Sequence, residues 1–433
     1  MNSFWRVAIV FLTFLAHIIV LITAREEFYL ILGAFTGAFF FYLLIIEEYK
    51  LKDVFYMAVA LRIIWLFSTP NLSNDYFRFL WDGELSASGI NVFGTLPTDL
   101  AVDSEFSNLL NQELYDGMNS KDYFSVYPPV NQLYFLVSAI GGESLSARLF
   151  ILKVVFFLTE FLGLLVLFKL ATNTRVAKEK FALWALNPLV IIEGVGNLHF
   201  EVVMLVYVLL AVVYFKKNWM LSAVFCGLAI STKLLPIMFL PLLIPYFGWG
   251  RSIKYGALAG GVFLITFLPF LNVEIIQNIW SSIDLYFQTF EFNASIFYIV
   301  KYIGELTVGW DIIQTAGPIM AGVTILVIAT LSFNPKTKNY ITLPTALLAV
   351  STVYLLMSTT VHPWYILIPF GISLFSKHKF PVWWTLLVFL SYSFYMNGTL
   401  EDKPLFLILQ YGVLFLLIGQ EILSMYKKTK SID

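Results

Sequence analysis

Directly after its third apolar run, the chain reads Ser73-Asn74-Asp75-Tyr76-Phe77-Arg78-Phe79-Leu80-Trp81-Asp82-Gly83. This stretch opens the one long polar segment of the protein, and the interval from Asn71 to Asp122 holds nine acidic and two basic residues. A carboxylate placed where a helix leaves a membrane is costly in lipid, so it has to face water, a cavity or a partner. The segment therefore points to chemistry at a membrane surface, on one side of the bilayer.

The composition is that of a polytopic membrane protein. Hydrophobic residues make up 59% of the 433-residue chain and charged residues only 13%. The net charge of −1 gives no indication of nucleic-acid binding, and the lone cysteine, Cys226, excludes an intrachain disulfide and a cysteine metal cluster. Because backbone groups in lipid must be satisfied within the segment, we expect an all-α bundle of about 12–14 transmembrane or partly inserted helices.

The basic residues predict the orientation of this bundle. If the N-terminus lies in the cytoplasm and each apolar run crosses once, 18 of the 27 Lys and Arg residues fall in cytoplasmic connections. The opposite face then receives the polar loop 69–148 and the connections at 196–201, 272–310, 360–365 and 397–403. One further acid, Glu160, lies in the middle of a span, where we expect it to have a structural partner.

The spacing of Asp75, Arg78 and Asp82 favours one face of a helix that begins after an Asn74 cap. One interpretation is a carboxylate base, Asp75, that Arg78 and Asp82 orient. The other is the salt-bridged face of an interfacial helix without catalytic function. The position of the triplet at the exit of a span favours the first interpretation.

Asn197, His199 and Glu201 form a second polar group, together with Glu193, at the outer end of the run that Asn187-Pro188 interrupts. Such side chains can bind a metal, donate hydrogen bonds to sugar hydroxyls or cap helices. Their spacing matches no established metal-ligand pattern, so we take them as substrate-binding candidates and expect no metal or other cofactor.

Lys233 splits a long apolar stretch, and its ammonium either extends to lipid phosphates without a specific role or binds the phosphate of a lipid-linked substrate. Tyr127-Pro128-Pro129 directs the chain into the short apolar run 133–140. Either this run is a buried loop or interfacial helix that covers the site, or the proline segment is a stiff turn without ligand contact. His362-Pro363-Trp364-Tyr365 is either a phosphate-binding and proton-carrying group or part of an aromatic belt.

Together these residues resemble the C-type (GT-C) membrane glycosyltransferases, and most closely the bacterial mannosyltransferases that use polyprenyl-phosphate mannose. The resembling pieces are Asn74 to Gly83 with Gly89-Ile90-Asn91, Tyr127-Pro128-Pro129, Asn187-Pro188, Gly196-Asn197-Leu198-His199, Lys233-Leu234-Leu235-Pro236 and His362-Pro363-Trp364-Tyr365. The chain departs from the family pattern in two places. Asn74 stands where many relatives have a second Asp, and Val92-Phe93 replaces Pro-Tyr after Asn91.

The resemblance implies a single GT-C-like membrane domain over 1–433 whose first long external loop, 69–148, carries the catalytic Asp, here Asp75. It implies transfer of a hexose, with mannose favoured, from a polyprenyl-phosphate donor to a lipid or glycan acceptor, with inversion. It also implies a bacterial inner membrane and a site on the extracytoplasmic side. We expect His362 to share the catalytic role, and the predicted substrate-binding residues are Arg78, Asp82, Asn197, His199, Glu201, Lys233, Trp364 and Tyr365.

Two other functions are compatible with parts of the sequence. Broken helices and scattered ionisable residues within the membrane are also typical of transporters and lipid flippases. The long acidic loop of a non-catalytic subunit would instead bind partner proteins. Against a transporter, the polar residues gather at one face rather than at the midplane, and inverted repeats are not evident.

Overall fold

The computed structural model of the chain describes residues 2–102, 111–172, 175–271, 274–279, 281–282 and 290–430. These residues form helices and connecting segments, and the part of the chain that is described contains no β-strand. A single isolated bridge joins Phe292 to Thr360. The predicted all-α class is therefore confirmed.

The α-helices are α1 Ser3–Ile22, α2 Phe28–Glu48, α3 Leu51–Leu66, α4 Asp75–Ala87, α5 Pro97–Val102, α6 Gln112–Gly117, α7 Pro129–Gly141, α8 Leu145–Ala171, α9 Arg175–Leu186, α10 Pro188–Ile191, α11 Glu201–Phe215, α12 Trp219–Ile230, α13 Ile244–Phe247, α14 Trp249–Phe267, α15 Ile296–Val308, α16 Ile313–Phe333, α17 Thr337–Tyr340, α18 Leu343–Leu356, α19 Leu367–Ser373, α20 Phe380–Leu387 and α21 Pro404–Lys430. A π-helical turn spans Ile192–Gly196, and 3-10 turns span Leu235–Phe239, Pro241–Leu243, Leu268–Phe270, Pro363–Ile366 and Val388–Gly398.

Six of the described helices are long and apolar enough to cross a membrane alone: α1, α2, α8, α14 with its 3-10 extension, α16 and α21. A seventh candidate is the broken pair of Pro188–Gly196 and α11, whose axes are bent by 110°. Four shorter apolar segments accompany them, namely Trp219–Ile230, Leu235–Phe247, Leu343–Leu356 and Pro363–Ser373. The chain is thus a multi-pass membrane protein in which several of the predicted spans are short or interrupted.

The bend before α11 has a local cause. The Asn187 side chain accepts hydrogen bonds from the backbone N–H groups of Leu189 and Val190, which starts a new helix at Pro188. Gly194 then leaves the helical region of the backbone, and Leu198 has a positive φ of 64°. As a result the segment from Glu193 to Glu201, called the bend segment below, reverses the chain at one end of the bundle.

The polar loop begins with α4, which packs against α7. Asn74 occupies the position before α4, as predicted, but its side chain makes no capping hydrogen bond. The Ser73 hydroxyl instead accepts from the Asp75 backbone N–H at 3.2 Å. The predicted short run 133–140 is the middle of α7, with Tyr134, Phe135 and Ser138 buried in the protein.

One connected cluster of buried apolar side chains extends from Ile9 to Leu414 and joins helices from both halves of the chain. Many large apolar side chains, such as Phe11 on α1 and Leu326 on α16, are exposed on the outside of the bundle, as a lipid environment allows. Within the core, the Arg62 Nε atom lies 2.6 Å from a carboxylate oxygen of Glu160. The prediction that Glu160 has a structural partner is confirmed.

Candidate active site

Asp75, His199 and Glu193 form an array of two carboxylates around one imidazole. His199 Nε2 lies 4.0 Å from Asp75 Oδ2, and His199 Nδ1 lies 2.9 Å from Glu193 Oε2. The side chains of His199 and Glu193 are buried, whereas that of Asp75, at the first turn of α4, is 24% exposed. Asp75 is therefore the accessible end of an otherwise buried array, and a substrate can reach it.

Glu193 is held from the other side by Tyr392, whose hydroxyl donates to Oε1 at 2.6 Å. The His199 ring is turned out of the angle that a hydrogen bond to Glu193 needs, and both of its nitrogens lack a hydrogen-bond partner among the described residues. Glu193 Oε2 and Glu201 Oε2 are likewise buried without a hydrogen-bond partner among the described residues. Buried polar atoms are rarely left unpaired in folded proteins, so their concentration here favours a site built for a polar ligand.

Lys233 lies beside a third carboxylate. Its ammonium is 3.0 Å from Glu201 Oε1 and 5.8 Å from the centre of the Tyr127 ring. The Lys233 side chain is 27% exposed, while that of Glu201 is buried. The backbone N–H of Val130 donates to the Ser231 carbonyl, which attaches the start of α7 to the Lys233 segment. The proline-rich turn therefore holds Tyr127 above the lysine.

The segment His362-Pro363-Trp364-Tyr365 completes the cluster from the second half of the chain. The Trp364 ring stacks on His199 with a centroid distance of 3.5 Å and on His362 with one of 4.5 Å. Tyr365 meets His362 edge to face at 5.3 Å. Backbone hydrogen bonds of Phe292 with Thr359 and Val361 hold the segment that leads to His362.

Burial above all, together with the nearby His199 and Lys233, lowers the pKa of His362 to about 3. The imidazole is therefore neutral near pH 7. This does not support the expectation that His362 exchanges a proton near neutral pH or brings a positive charge to a phosphate. A neutral imidazole can still take part in a hydrogen bond, and the catalytic role of His362 stays a prediction.

Arg78 and Asp82 bind each other rather than Asp75. Arg78 Nε lies 2.7 Å from Asp82 Oδ1, and both side chains are almost completely buried. Arg78 also donates to the carbonyls of Ser120 and Tyr123, and Asp82 accepts from the hydroxyl of Ser125. The pair thus fastens the polar loop onto α4, and contact of these two residues with substrate stays a prediction.

Asn197 has hydrogen-bond partners within the protein, and its contact with substrate stays a prediction. Its Oδ1 accepts from the backbone N–H of Leu72 at 3.1 Å, and its Nδ2 donates to the carbonyl of Ile192 at 2.9 Å. Asn197 thereby ties the residues before α4 to the bend segment and brings Asp75 to His199. Among the described residues, no group of three or more His, Cys, Asp or Glu side chains is placed to hold a metal ion.

Sequence patterns pointed to Asp75, His199, Glu201, Lys233, Trp364 and Tyr365, and the fold brings all six together at one end of the bundle. Glu193 was visible in the sequence only as one of several polar residues near the bend. Tyr392 lies in an apolar run and carries no sequence signal of its own.

A family model for the N-terminal domain of the alpha-(1->6)-mannopyranosyltransferases matches residues 11–248. No curated protein matches the chain. The match includes Asp75, the bend segment and Lys233, and it ends before His362. It covers more than half of the sequence and decides against a transporter and against a non-catalytic subunit. The chain belongs to this family, and it is a membrane mannosyltransferase.

Proposed function

We propose that the enzyme transfers mannose from a polyprenyl-phosphate donor to a hydroxyl group of a lipid or glycan acceptor, with inversion, at the extracytoplasmic face of a bacterial inner membrane. The observation that carries this proposal is the accessible Asp75 carboxylate, which stands at the end of a buried array and in one cluster with the Lys233 cation. A base beside a phosphate-binding cation is what in-line transfer from a lipid phosphate requires.

In the proposed reaction, Asp75 accepts the proton of the acceptor hydroxyl while its oxygen attacks the anomeric carbon. The bond from that carbon to the phosphate oxygen breaks on the opposite face, and the lipid phosphate leaves with the electron pair. A general base of this kind contributes about 10²- to 10⁴-fold to the rate. Because inversion turns a β-linked donor into an α-linked product, an alpha-linked mannoside implies a β-linked mannosyl phosphate.

The departing lipid monophosphate gains negative charge, which Lys233 is placed to stabilise. Its ammonium is partly exposed and is a compact point charge, whereas Arg78, the cation on α4, is buried against Asp82. We propose that Lys233 binds the phosphate without a divalent ion and that the neutral His362 adds a hydrogen bond. His199, Trp364 and Tyr365 are proposed to contact the sugar.

The test is transfer of radiolabelled mannose from polyprenyl phosphate by purified, reconstituted Asp75→Asn. This variant keeps the size of the side chain but cannot accept a proton, so we expect it to bind donor and to lose transfer by about 10²- to 10⁴-fold. Asp99→Asn, which removes an exposed carboxylate of the same loop, is the matched control and should keep wild-type activity. Substantial transfer by a folded, donor-binding Asp75→Asn would exclude Asp75 as the base.

A further inference from the structure

Two adjoining cavities lie beyond the proposed active site. The first, of about 510 Å³, is an apolar groove between α8, α11, α12, α18 and α19. The second, of about 860 Å³, is lined by the four cations Lys216, Lys217, Arg251 and Lys254. The two share Phe215, Lys216, Lys217, Leu243 and Tyr255 in their linings, so the apolar groove runs directly into the basic pocket.

The basic pocket is at the end of the bundle opposite to Asp75. Helix α11 begins at Glu201, beside Lys233, and ends at Phe215, immediately before Lys216. Its 15 residues span roughly 22 Å at a rise of about 1.5 Å per residue. A phosphate bound among the four cations is therefore too far from Asp75 to take part in the transfer reaction.

The positive charge of this pocket is uncompensated. No acidic residue occurs between Glu201 and Glu274 in the sequence. All four cations are exposed, and in the described part of the chain none of them forms an ion pair. Cations grouped at the surface of a membrane protein without partners attract anionic head groups.

The adjoining groove is apolar, in contrast to the basic pocket. It is lined by aliphatic and aromatic side chains from several helices and has Gly163 and Gly371 in its wall. The groove is open on the outside of the bundle at Val212, which is 47% exposed. Trp219 and Met220, both exposed, flank the basic pocket at its mouth, where aromatic residues are favoured at a membrane boundary.

We propose that the groove and the basic pocket together bind one glycerophospholipid with an anionic head group. The head-group phosphate lies among Lys216, Lys217, Arg251 and Lys254, and an acyl chain lies along the apolar groove. A soluble phosphate would leave the groove unused, and a neutral phospholipid would leave the four cations without a counter-charge. This site is separate from the proposed donor site and does not depend on the proposed function.

The test is native mass spectrometry of the full-length protein titrated with phosphatidylglycerol or phosphatidylcholine. We expect phosphatidylglycerol to bind at least about tenfold more tightly at low salt, with the preference declining as salt is added. The variant Lys216→Gln/Lys217→Gln/Arg251→Gln should lose this preference and keep mannosyl transfer. Lys336→Gln/Lys338→Gln, which removes two exposed lysines outside both cavities, is the control and should retain the preference.

A second variant tests the groove. Val212→Trp places a large ring in the groove and should weaken phosphatidylglycerol binding severalfold while leaving the weak binding of soluble glycerol phosphate unchanged. Equal binding of the two phospholipids, or an equal loss in the control variant, would overturn the proposal. So would displacement of phosphatidylglycerol by equimolar polyprenyl phosphate, because the site would then belong to the donor or its product.

Discussion

At the residue scale, the surroundings of His199 explain why its ring stands next to Asp75. Glu193 Oε2 lies 2.9 Å from His199 Nδ1, and the Tyr392 hydroxyl donates to the other carboxylate oxygen of Glu193. The Trp364 ring stacks on the His199 ring. These contacts keep His199 Nε2 at 4.0 Å from Asp75 Oδ2.

The Lys233 hypothesis has a test that separates phosphate binding from pairing with Glu201. Lys233→Gln should raise the KM for the lipid-phosphate donor by about 10- to 100-fold, the equivalent of a lost charge-assisted contact of about 1.5–3 kcal/mol. Steady-state kinetics at varied donor concentration measure this. Loss of the lysine also leaves Glu201 buried without its cation, so the single variant does not suffice.

The double variant Lys233→Gln/Glu201→Gln removes both charges and resolves this ambiguity. If Lys233 binds the donor phosphate, the double variant keeps the high KM. A return of KM to the wild-type value would mean that the lysine only neutralises Glu201, and our donor site would be misplaced.

Sequence reasoning placed Arg78 and Asp82 beside Asp75, whereas in the fold these two side chains pair with each other. Residues three and seven positions along a helix are visible in a sequence, so Arg78 and Asp82 were natural partners for Asp75. The partner in the fold is His199, which is brought to Asp75 by the bond between Asn197 and Leu72. Such a contact depends on tertiary structure and has no periodic signature. The same holds for Tyr392, which reaches Glu193 across 199 residues of sequence.

At the scale of the element, the bend segment is anchored from α8. The Lys153 ammonium donates to the carbonyls of Trp65 and Gly196 and to the hydroxyl of Ser68, each at 2.9 Å. Two helical turns further along α8, the Glu160 side chain lies against Gly194. These contacts hold the bend segment in place, and His199, which is part of it, is held with it. Sequence could place a break at Asn187-Pro188, but these anchors, being long-range, could not be predicted.

The variant Gly194→Ala tests whether the bend segment holds His199 in position. A Cβ at Gly194 would clash with Glu160 Oε1, and Glu160 is fixed by Arg62, so the bend segment has to shift. We expect a loss of about 1–3 kcal/mol in stability and at least a tenfold loss of kcat, because His199 moves away from Asp75. Thermal unfolding and mannosyl transfer measure the two effects.

Gly33→Ala on α2 is the matched control, because a Cβ at Gly33 meets no atom within 4 Å. It should leave both stability and activity close to those of the wild type. If Gly194→Ala also unfolds and reacts like the wild type, the bend segment is not the rigid support described above.

At the scale of the whole molecule, the charge pattern predicted which segments share one face. The segments around residues 75, 127, 199, 233 and 362 come from widely separated parts of the chain, and they meet in one cluster. The alternation of apolar runs and basic connections predicts this grouping, because each crossing places the next connection on the opposite side of the membrane. Helix lengths and breaks were harder to predict, since prolines and buried polar caps divide the apolar runs within the membrane.

The side of the membrane that holds this cluster is the last prediction. Single cysteines at Asp99, Asn397 and Asn339, in a Cys226→Ala background, report on it because all three positions are exposed. Asn339 serves better than its neighbour Thr337, which is buried and would resist labelling on either side. The positive-inside distribution of Lys and Arg predicts that an impermeant thiol reagent labels the first two cysteines in intact cells and labels Asn339→Cys only after the membrane is opened. Labelling of Asn339→Cys alone in intact cells would move Asp75 and Lys233 to the cytoplasmic face, where the donor would have to present its mannose to the opposite leaflet.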